Sequence, residues 1–416
     1  MTVVAEDLPG DMAADHEPRR SISQWSIFRV PAHIRRIDEK AYNPRVVSIG
    51  PFHWNRPALS AMEAQKARFY ERLMTRMAYE DRDVGIKTAM RKLEPDARLC
   101  YSEEFDEIST DEFVDMMVLD GCFIVELLRL SYESNQDEEG QFVDEPIFAT
   151  RWMLPNITRD LLMLENQLPM FVLQKIYNLT TFDKDAASLN KLALLFMEPL
   201  SPQKGQYADT KLDDKGEHHH LLALFHSSFI PSEINALPSR MERGARWNRQ
   251  DNFPGKLWVH EAKRLRGAGI QFKYNPGNLL NIEFTNRELK IPTLFIDEWT
   301  GPLLRNLLAY EQCNSFALPY ITCYAIFLNS IVEDLKDMEI LQNAGIIYQS
   351  VDEDEEVVDL INSLTKELVF DIHDMSDCFI AQQIEDINKF CKSWHSKCIF
   401  QFSRCANILS SFLPFR

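Results

Sequence analysis

The stretch Asp111 to Leu130, DEFVDMMVLDGCFIVELLRL, constrains the fold of this chain more than any other. Acids open it, Arg129 stands near its end, and almost every turn between them is apolar on all sides. The terminal charges suit a helix dipole, and a helix that is apolar all round has to be buried. Other helices must therefore pack around it, and the remaining sequence supplies them. Leu59 to Tyr79 sets Met62, Lys66, Phe69, Tyr70, Leu73 and Met77 near helical spacing. A helix is predicted around Val84 to Leu93, ending before Pro95, because proline lacks the amide donor and disfavours helical geometry in its predecessor. Arg159 to Tyr177 contains Pro169 and reads as two helices or as one kinked at Leu168. Further helices are expected over His220 to Ile230, Pro302 to Gln312, Leu318 to Val332, Met338 to Ala344, Glu355 to Phe370 and Ser376 to Phe402.

The β signal is confined to a short region. GIQFKY is an extended run, and LLNIEFTNRELKIPTLFI alternates about Asn286, which predicts a hairpin with Asn286 and Arg287 in its turn. RVVSIG, among Pro31, Pro44, Pro51 and Pro57, reads as a short strand or an extended run. The expected fold is mainly α: a compact multi-helix domain with one small β-hairpin or sheet. Residues 1–24 read as a disordered N-terminal arm, and 25–416 as a single helical domain with an internal polar linker at about 201–216.

The chain has 416 residues, of which 45% are apolar, enough for a large core and too many for a disordered state. Its 45 Lys and Arg against 63 Asp and Glu leave a net charge of −18, which argues against binding nucleic acid through its phosphates. Eight cysteines without a CxxC pair suit a reducing compartment. The N-terminus is acidic and lacks the apolar core of a secretory signal. The charge-free run between Glu311 and Glu333 is long enough to span a bilayer. It nevertheless contains Asn314, Pro319 and Asn329 and is flanked by acids, so a buried core helix is expected and no clear transmembrane segment is found. A cytoplasmic or peripheral plasma-membrane location follows as the expectation.

No sequence motif announces a reaction or a cofactor. Gly267 and Gly269 follow a helix and precede a strand, the reverse of a dinucleotide loop, and read as a helix C-cap. His218, His219, His220 and His226 open a helix beside a polar linker and are read as solvated rather than as zinc ligands. Cys391, His395, Cys398 and Cys405 lie along one helix face. Residues seven apart rise about 10.5 Å on a helix, too far for two ligands of one zinc, so a buried or partner-facing stripe is favoured over a metal site. VDEDEEVVDL lacks the glycine of a calcium loop and reads as the acidic first turn of a helix. The sequons at Asn156 and Asn178 carry almost no information. Lys263, Arg264 and Arg266, and the series Arg240, Arg243, Arg246 and Arg249, read as solvated helix faces. What stands out is a set of polar residues inside apolar blocks: Asp120, Glu126, Glu165, Asn166 and Gln167. Buried polar groups are costly without partners. They point to a satisfied internal network, or to an enzyme site that would also use His53.

Taken in order, IFRVPAHIRRIDEKAYNPRVVSIGPFH, MMVLDGCFIVELLR, DLLMLENQLPMFVL, LRGAGIQFK, LKIPTLFID and LRNLLAYEQC, followed by the acid-led helix after GII, resemble the plant family called domain of unknown function 247. The resemblance covers Ile27 to Trp394. It implies a plant source, one family-wide domain and no established catalytic residues. Some grass members are linked to self-incompatibility, on the pollen side, paired with small secreted stigma proteins. Relatives also continue past a Trp, matched here by Trp394, into an apolar membrane anchor. This sequence stops at Arg416 without one, so peripheral association or a soluble variant is expected. The functional expectation is a non-enzymatic interaction or recognition protein with a protein partner, without a cofactor or metal. Its specificity would lie in polar loops containing Asn135, Asp137, Glu138 and Glu139, and Lys204, Tyr207 and Asp209. The competing classes are an enzyme built on the buried polar cluster and a membrane-peripheral scaffold.

Overall fold

The computed structural model describes residues 25–76, 82–136, 145–181, 187–203, 217–230, 258–350, 353–370 and 378–393. The expected N-terminal arm, most of the 201–216 linker and the arginine series from Arg240 to Arg249 lie outside them. Fifteen helices occur among the described residues. They are α1 (Ala32–Arg35), α2 (Ala61–Arg76), α3 (Arg82–Leu99), α4 (Thr110–Gln136), α5 (Pro146–Ala149), α6 (Met153–Leu161), α7 (Met170–Thr180) and α8 (Leu189–Met197). They continue with α9 (Leu221–Ser228), α10 (Ala262–Gly267), α11 (Thr300–Cys313), α12 (Tyr320–Ile331), α13 (Leu335–Asn343), α14 (Asp354–Leu364) and α15 (residues 381–393). The mainly α expectation holds.

The apolar helix is α4, and α2, α3, α7 and α8 pack around it. Its start is a capping box: the Glu112 amide donates to Ser109 Oγ at 3.3 Å, and the Ser109 amide donates to Glu112 Oε2 at 3.0 Å. Phe113, Met117, Phe123, Ile124, Leu127 and Leu128 are fully buried on its several faces. Gly121 lets α7 come close, since a Cβ there would stand 2.4 Å from Ile176 Cδ1. Helix α3 corrects one expectation, because it runs through Pro95 to Leu99. Met90 and Ala97, on either side of the proline, are both fully buried, and packing against α4 offsets the lost backbone bond.

Among the described residues, five short strands form two sheets. Strands β2 (Glu283–Thr285) and β3 (Glu288–Ile291) make the expected hairpin, with Asn286 at φ 51° and Arg287 at φ 68° in its two-residue turn. Strand β1 (Gln271–Tyr274) pairs parallel to β3. A second sheet, of β4 (Leu294–Ile296) and β5 (Ile347–Gln349) in parallel, goes beyond the single sheet expected. Its strands are three residues each and distant in sequence, so neither offers a period to read. The turn after α10 is the expected C-cap, with Gly269 at φ 90° and the Ile270 amide bonded to the Leu265 carbonyl. The run 45–50 bends at residues 45, 46 and 50 and joins no sheet. The charge-free run 312–332 is divided between the end of α11 and α12, with Pro319 ahead of the second helix. Among the described residues no helix is long and apolar enough to cross a membrane. One hydrophobic cluster runs from Ile27 to Cys391.

Candidate functional site

The predicted polar residues gather at the break between α6 and α7. Residues 162–169 are not helical, so the two-helix alternative for this block is the one realised, with a break wider than a kink. Side chains do there what the interrupted helix cannot. Gln167 Nε2 donates to the carbonyls of Leu161 and Met163, both at 2.7 Å, and Asn166 Nδ2 donates to the carbonyl of Asp160 at 2.9 Å. The last carbonyls of α6 thus gain partners without solvent.

The same side chains hold the proline-punctuated N-terminal segment. Asn166 accepts from the Ile49 amide at 2.7 Å and donates to the Val47 carbonyl at 3.0 Å. Glu165 accepts from the Val30 amide at 2.6 Å, pairs with Arg35, and lies 3.4 Å from Arg29. Asp160, fully buried, accepts the amides of Arg45, Val46 and Val47 at 2.9, 2.7 and 3.1 Å and Arg159 Nη1 at 2.9 Å. Burial pushes the Asp160 pKa up, against the pull of those amides and of Arg159. Arg159 reaches on to the carbonyls of Asn43 and Lys40. Run 45–50 therefore finds its backbone partners in carboxylate and amide side chains, which is why it needs no neighbouring strand.

Asp120 on α4 completes the latch from the other side. It accepts the Gly50 amide at 2.9 Å and pairs with buried Lys66 of α2 at 2.6 Å. Burial works against the Lys66 charge, but Asp120 and Glu63 outweigh it, and its pKa ends above the ordinary value. Gly50 sits at φ 71°, and a Cβ there would lie 2.5 Å from the Gln167 carbonyl oxygen, so only glycine fits. That carbonyl also accepts from Tyr101 Oη at 3.0 Å. From α11, Asn306 accepts the Leu164 amide at 3.0 Å and donates to the Ala41 carbonyl at 2.9 Å.

Two predicted groups behave differently. Glu126 stands apart on the α2–α4 seam, 2.9 Å from Arg76 Nε and 3.5 Å from Arg72 Nε, yet neither carboxylate oxygen has an aligned hydrogen bond. Burial raises its pKa to about 7 in spite of Arg76. His53 is enclosed 3.8 Å from Glu165, and both of its ring nitrogens lack hydrogen-bond partners. Burial, with Arg56, Arg29 and Arg35 nearby, pushes its pKa down to about 3 and keeps it neutral.

The solvated-histidine expectation fails for two of the four. His220 is fully buried, accepts the Ala223 amide on Nδ1 to cap α9, and bonds the Ser26 carbonyl at 3.0 Å. His226 pairs with buried Glu311 at 2.6 Å, and Glu311 also takes the amides of Ile321 and Thr322 at the start of α12. A histidine at the edge of a polar linker looks exposed in sequence, whereas here the helix it opens lies inside the core. Of the cysteine and histidine stripe, Cys391 is buried on α15 and the other members lie outside the described residues. Among the described residues, the one group of ligand-type side chains close enough to share a metal is Glu333, Asp334 and Asp337, where Lys263 Nζ already lies 2.9 Å from both Glu333 and Asp334. Of the predicted recognition residues, Asn135 is exposed near the end of α4. Asp137, Glu138, Glu139, Lys204, Tyr207 and Asp209 lie outside the described residues. Asp160, Arg159 and Asn306 were not singled out, although each is a polar residue within an apolar helical block, the same signal that marked Asp120, and Lys66 was read only as a member of the 59–79 helical stripe.

Fold and site define a helical protein whose N-terminal segment is latched to its core by buried side chains. Residues 27–410 match the family DUF247, described as plant proteins of unknown function, and the chain belongs to that family. It is similar to the UPF0481 protein At3g47200 of Arabidopsis thaliana, 29% identical over 89% of this chain and 78% of that protein. It is also similar to the putative UPF0481 protein At3g02645 of the same plant, 22% identical over 88% of this chain and 82% of that one. No solved structure matches.

Proposed function

We propose that the chain is a non-enzymatic interaction protein of plants, a recognition or signalling component whose working parts are on its surface. The supporting observation is where its polar chemistry goes. Glu165, Asn166, Gln167 and Asp160 spend their hydrogen bonds on the chain's own backbone, which leaves these groups committed to holding the fold. Affinity capture with the purified chain from pollen or other reproductive tissue, compared with leaf, tests the idea. A specific partner that rebinds as purified protein is the expected result, and no specific partner in either tissue counts against it. Enrichment in reproductive tissue would support the narrower role of a pollen-side self-incompatibility component, and equal capture from leaf would argue against that role.

One observation favours a second reading, an enzyme. His53 is a buried base with both nitrogens unsatisfied beside Glu165, and such groups are enriched at reactive sites. A His53→Gln chain with unchanged or raised stability and unchanged partner binding would identify the histidine as dispensable for interaction. Loss of a substrate turnover found by activity screening of the wild type would instead support catalysis.

A further inference from the structure

We propose that the exposed surface carrying Lys40, Arg45, Arg56, Trp152 and Trp299 is a docking site for a carboxylate-rich segment of a partner protein. The inference rests on the interaction reading above and supplies the partner's chemistry. Residues 25–57 hold six cations, Arg29, Arg35, Arg36, Lys40, Arg45 and Arg56, against Asp38 and Glu39, in a chain whose net charge is −18. Internal carboxylates already use part of this set, since Glu165 takes Arg35, and Glu103 and Glu165 take Arg29. Lys40, Arg45 and Arg56 are exposed, and among the described residues no carboxylate pairs with any of them.

Arg45 is in contact with Asn156 and Trp299, and Lys40 and Arg56 flank it on either side of Asn43. Arg56 Nη1 lies 3.5 Å from Asn43 Oδ1, and Arg159 ties the carbonyls of Asn43 and Lys40 to the core. Arg45 Nη1 donates to Asn156 Oδ1 at 3.3 Å, and Asn156 Nδ2 donates to the Trp152 carbonyl at 2.8 Å. The Arg45 guanidinium also sits 5.5 Å from the centre of the half-buried Trp299 ring. Trp152 is 57% exposed, a large apolar group left in water. The Asp160 latch fixes the backbone of residues 45–47 beneath the patch, so the Arg45 guanidinium, held by Asn156 and set over Trp299, is preorganised.

Carboxylates fit this surface better than the alternatives. A guanidinium fork held by an amide side chain and set over an aromatic ring, as Arg45 is, matches planar, bidentate acceptors, and arginine and tryptophan are the residue types that dominate protein–protein binding energy. Glu39 and Glu298 stand exposed beside Lys40 and Trp299. A partner with spaced carboxylates avoids them, whereas a uniformly anionic bilayer does not.

The test uses the full chain and a fluorescein-labelled dodecapeptide in which Glu alternates with Ser, followed by fluorescence anisotropy. Saturable binding is expected, weakened about tenfold or more in R45E/R56E and in W152A and unchanged in K336E, a reversal of an exposed cation on α13. Matching unfolding midpoints establish that the variants fold. Equal binding by wild type and R45E/R56E overturns the proposal. Binding to phosphatidylserine vesicles with none to the peptide overturns it in favour of a membrane, and self-association in sedimentation that R45E/R56E abolishes overturns it in favour of a second copy. A tissue partner captured equally by wild type and R45E/R56E sinks the patch and leaves the interaction function standing, while capture by neither form sinks both.

Discussion

Two regions of the molecule bury carboxylates in opposite ways. At the α6–α7 break, Asp160 and Glu165 lie beside irregular backbone whose amides have no other partner, and they accept four of them. On the α2–α4 seam, Glu126 lies between two regular helices whose amides are already used within each helix. Arg72 and Arg76 are its neighbours there, and neither oxygen gains an aligned hydrogen bond. A buried charge is well held where the chain is irregular and poorly held where it is regular, because only the irregular chain has donors to spare.

The difference can be broken or sharpened by mutation. The largest effect is expected from Asp160→Ala, which leaves three amides without an acceptor and the buried Arg159 without its carboxylate partner, and should cost about 3–5 kcal/mol in denaturant unfolding. A loss below about 1 kcal/mol would mean that water replaces the carboxylate and that the latch is not a dry network. Asn166→Ala removes one acceptor and two donated bonds and should cost about 2–4 kcal/mol by the same measurement.

Glu126→Gln separates the two regions by pH. The folded-state pKa of Glu126 is raised from 4.5 to about 7 by burial, so the folded chain holds that proton more tightly than the unfolded one. The resulting stability is present in full below about pH 4.5 and is lost as pH rises toward about 7. Glutamine keeps the neutral form at every pH, so the variant's stability relative to wild type should climb across that window by on the order of 3 kcal/mol and level off above it. A flat difference, or one of opposite slope, would show that Arg76 holds the carboxylate charged. The smallest effect is expected at the surface. Asp111→Asn, which breaks a 2.5 Å pair with Arg91 in which both side chains are more than half exposed, should leave the unfolding midpoint within error.

Much of this was legible beforehand. The burial of α4 follows from its composition, the hairpin from Asn286 between alternating runs, and the importance of Glu165, Asn166 and Gln167 from polar residues caught between apolar ones. Partners were not legible. Asn166 meets Ile49 from 117 positions away and Asp160 meets Val46 from 114, and no local pattern encodes such a meeting. His220 and Pro95 were misread for the same reason, since linker polarity and proline sterics are local tendencies that long-range packing overrode.

By itself the sequence determined most of the longer helices, the burial of α4 and some of the polar side chains that the inside would have to accommodate, because periodicity and hydrophobicity are properties of neighbouring residues. The tertiary structure alone decided that run 45–50 hangs on side chains instead of a strand, that Glu126 and Glu165 have unlike surroundings, and that Arg45, Arg56 and Trp152 share one surface. Each of those depends on which distant backbone groups are brought within hydrogen-bond reach, and only the folded chain sets that distance.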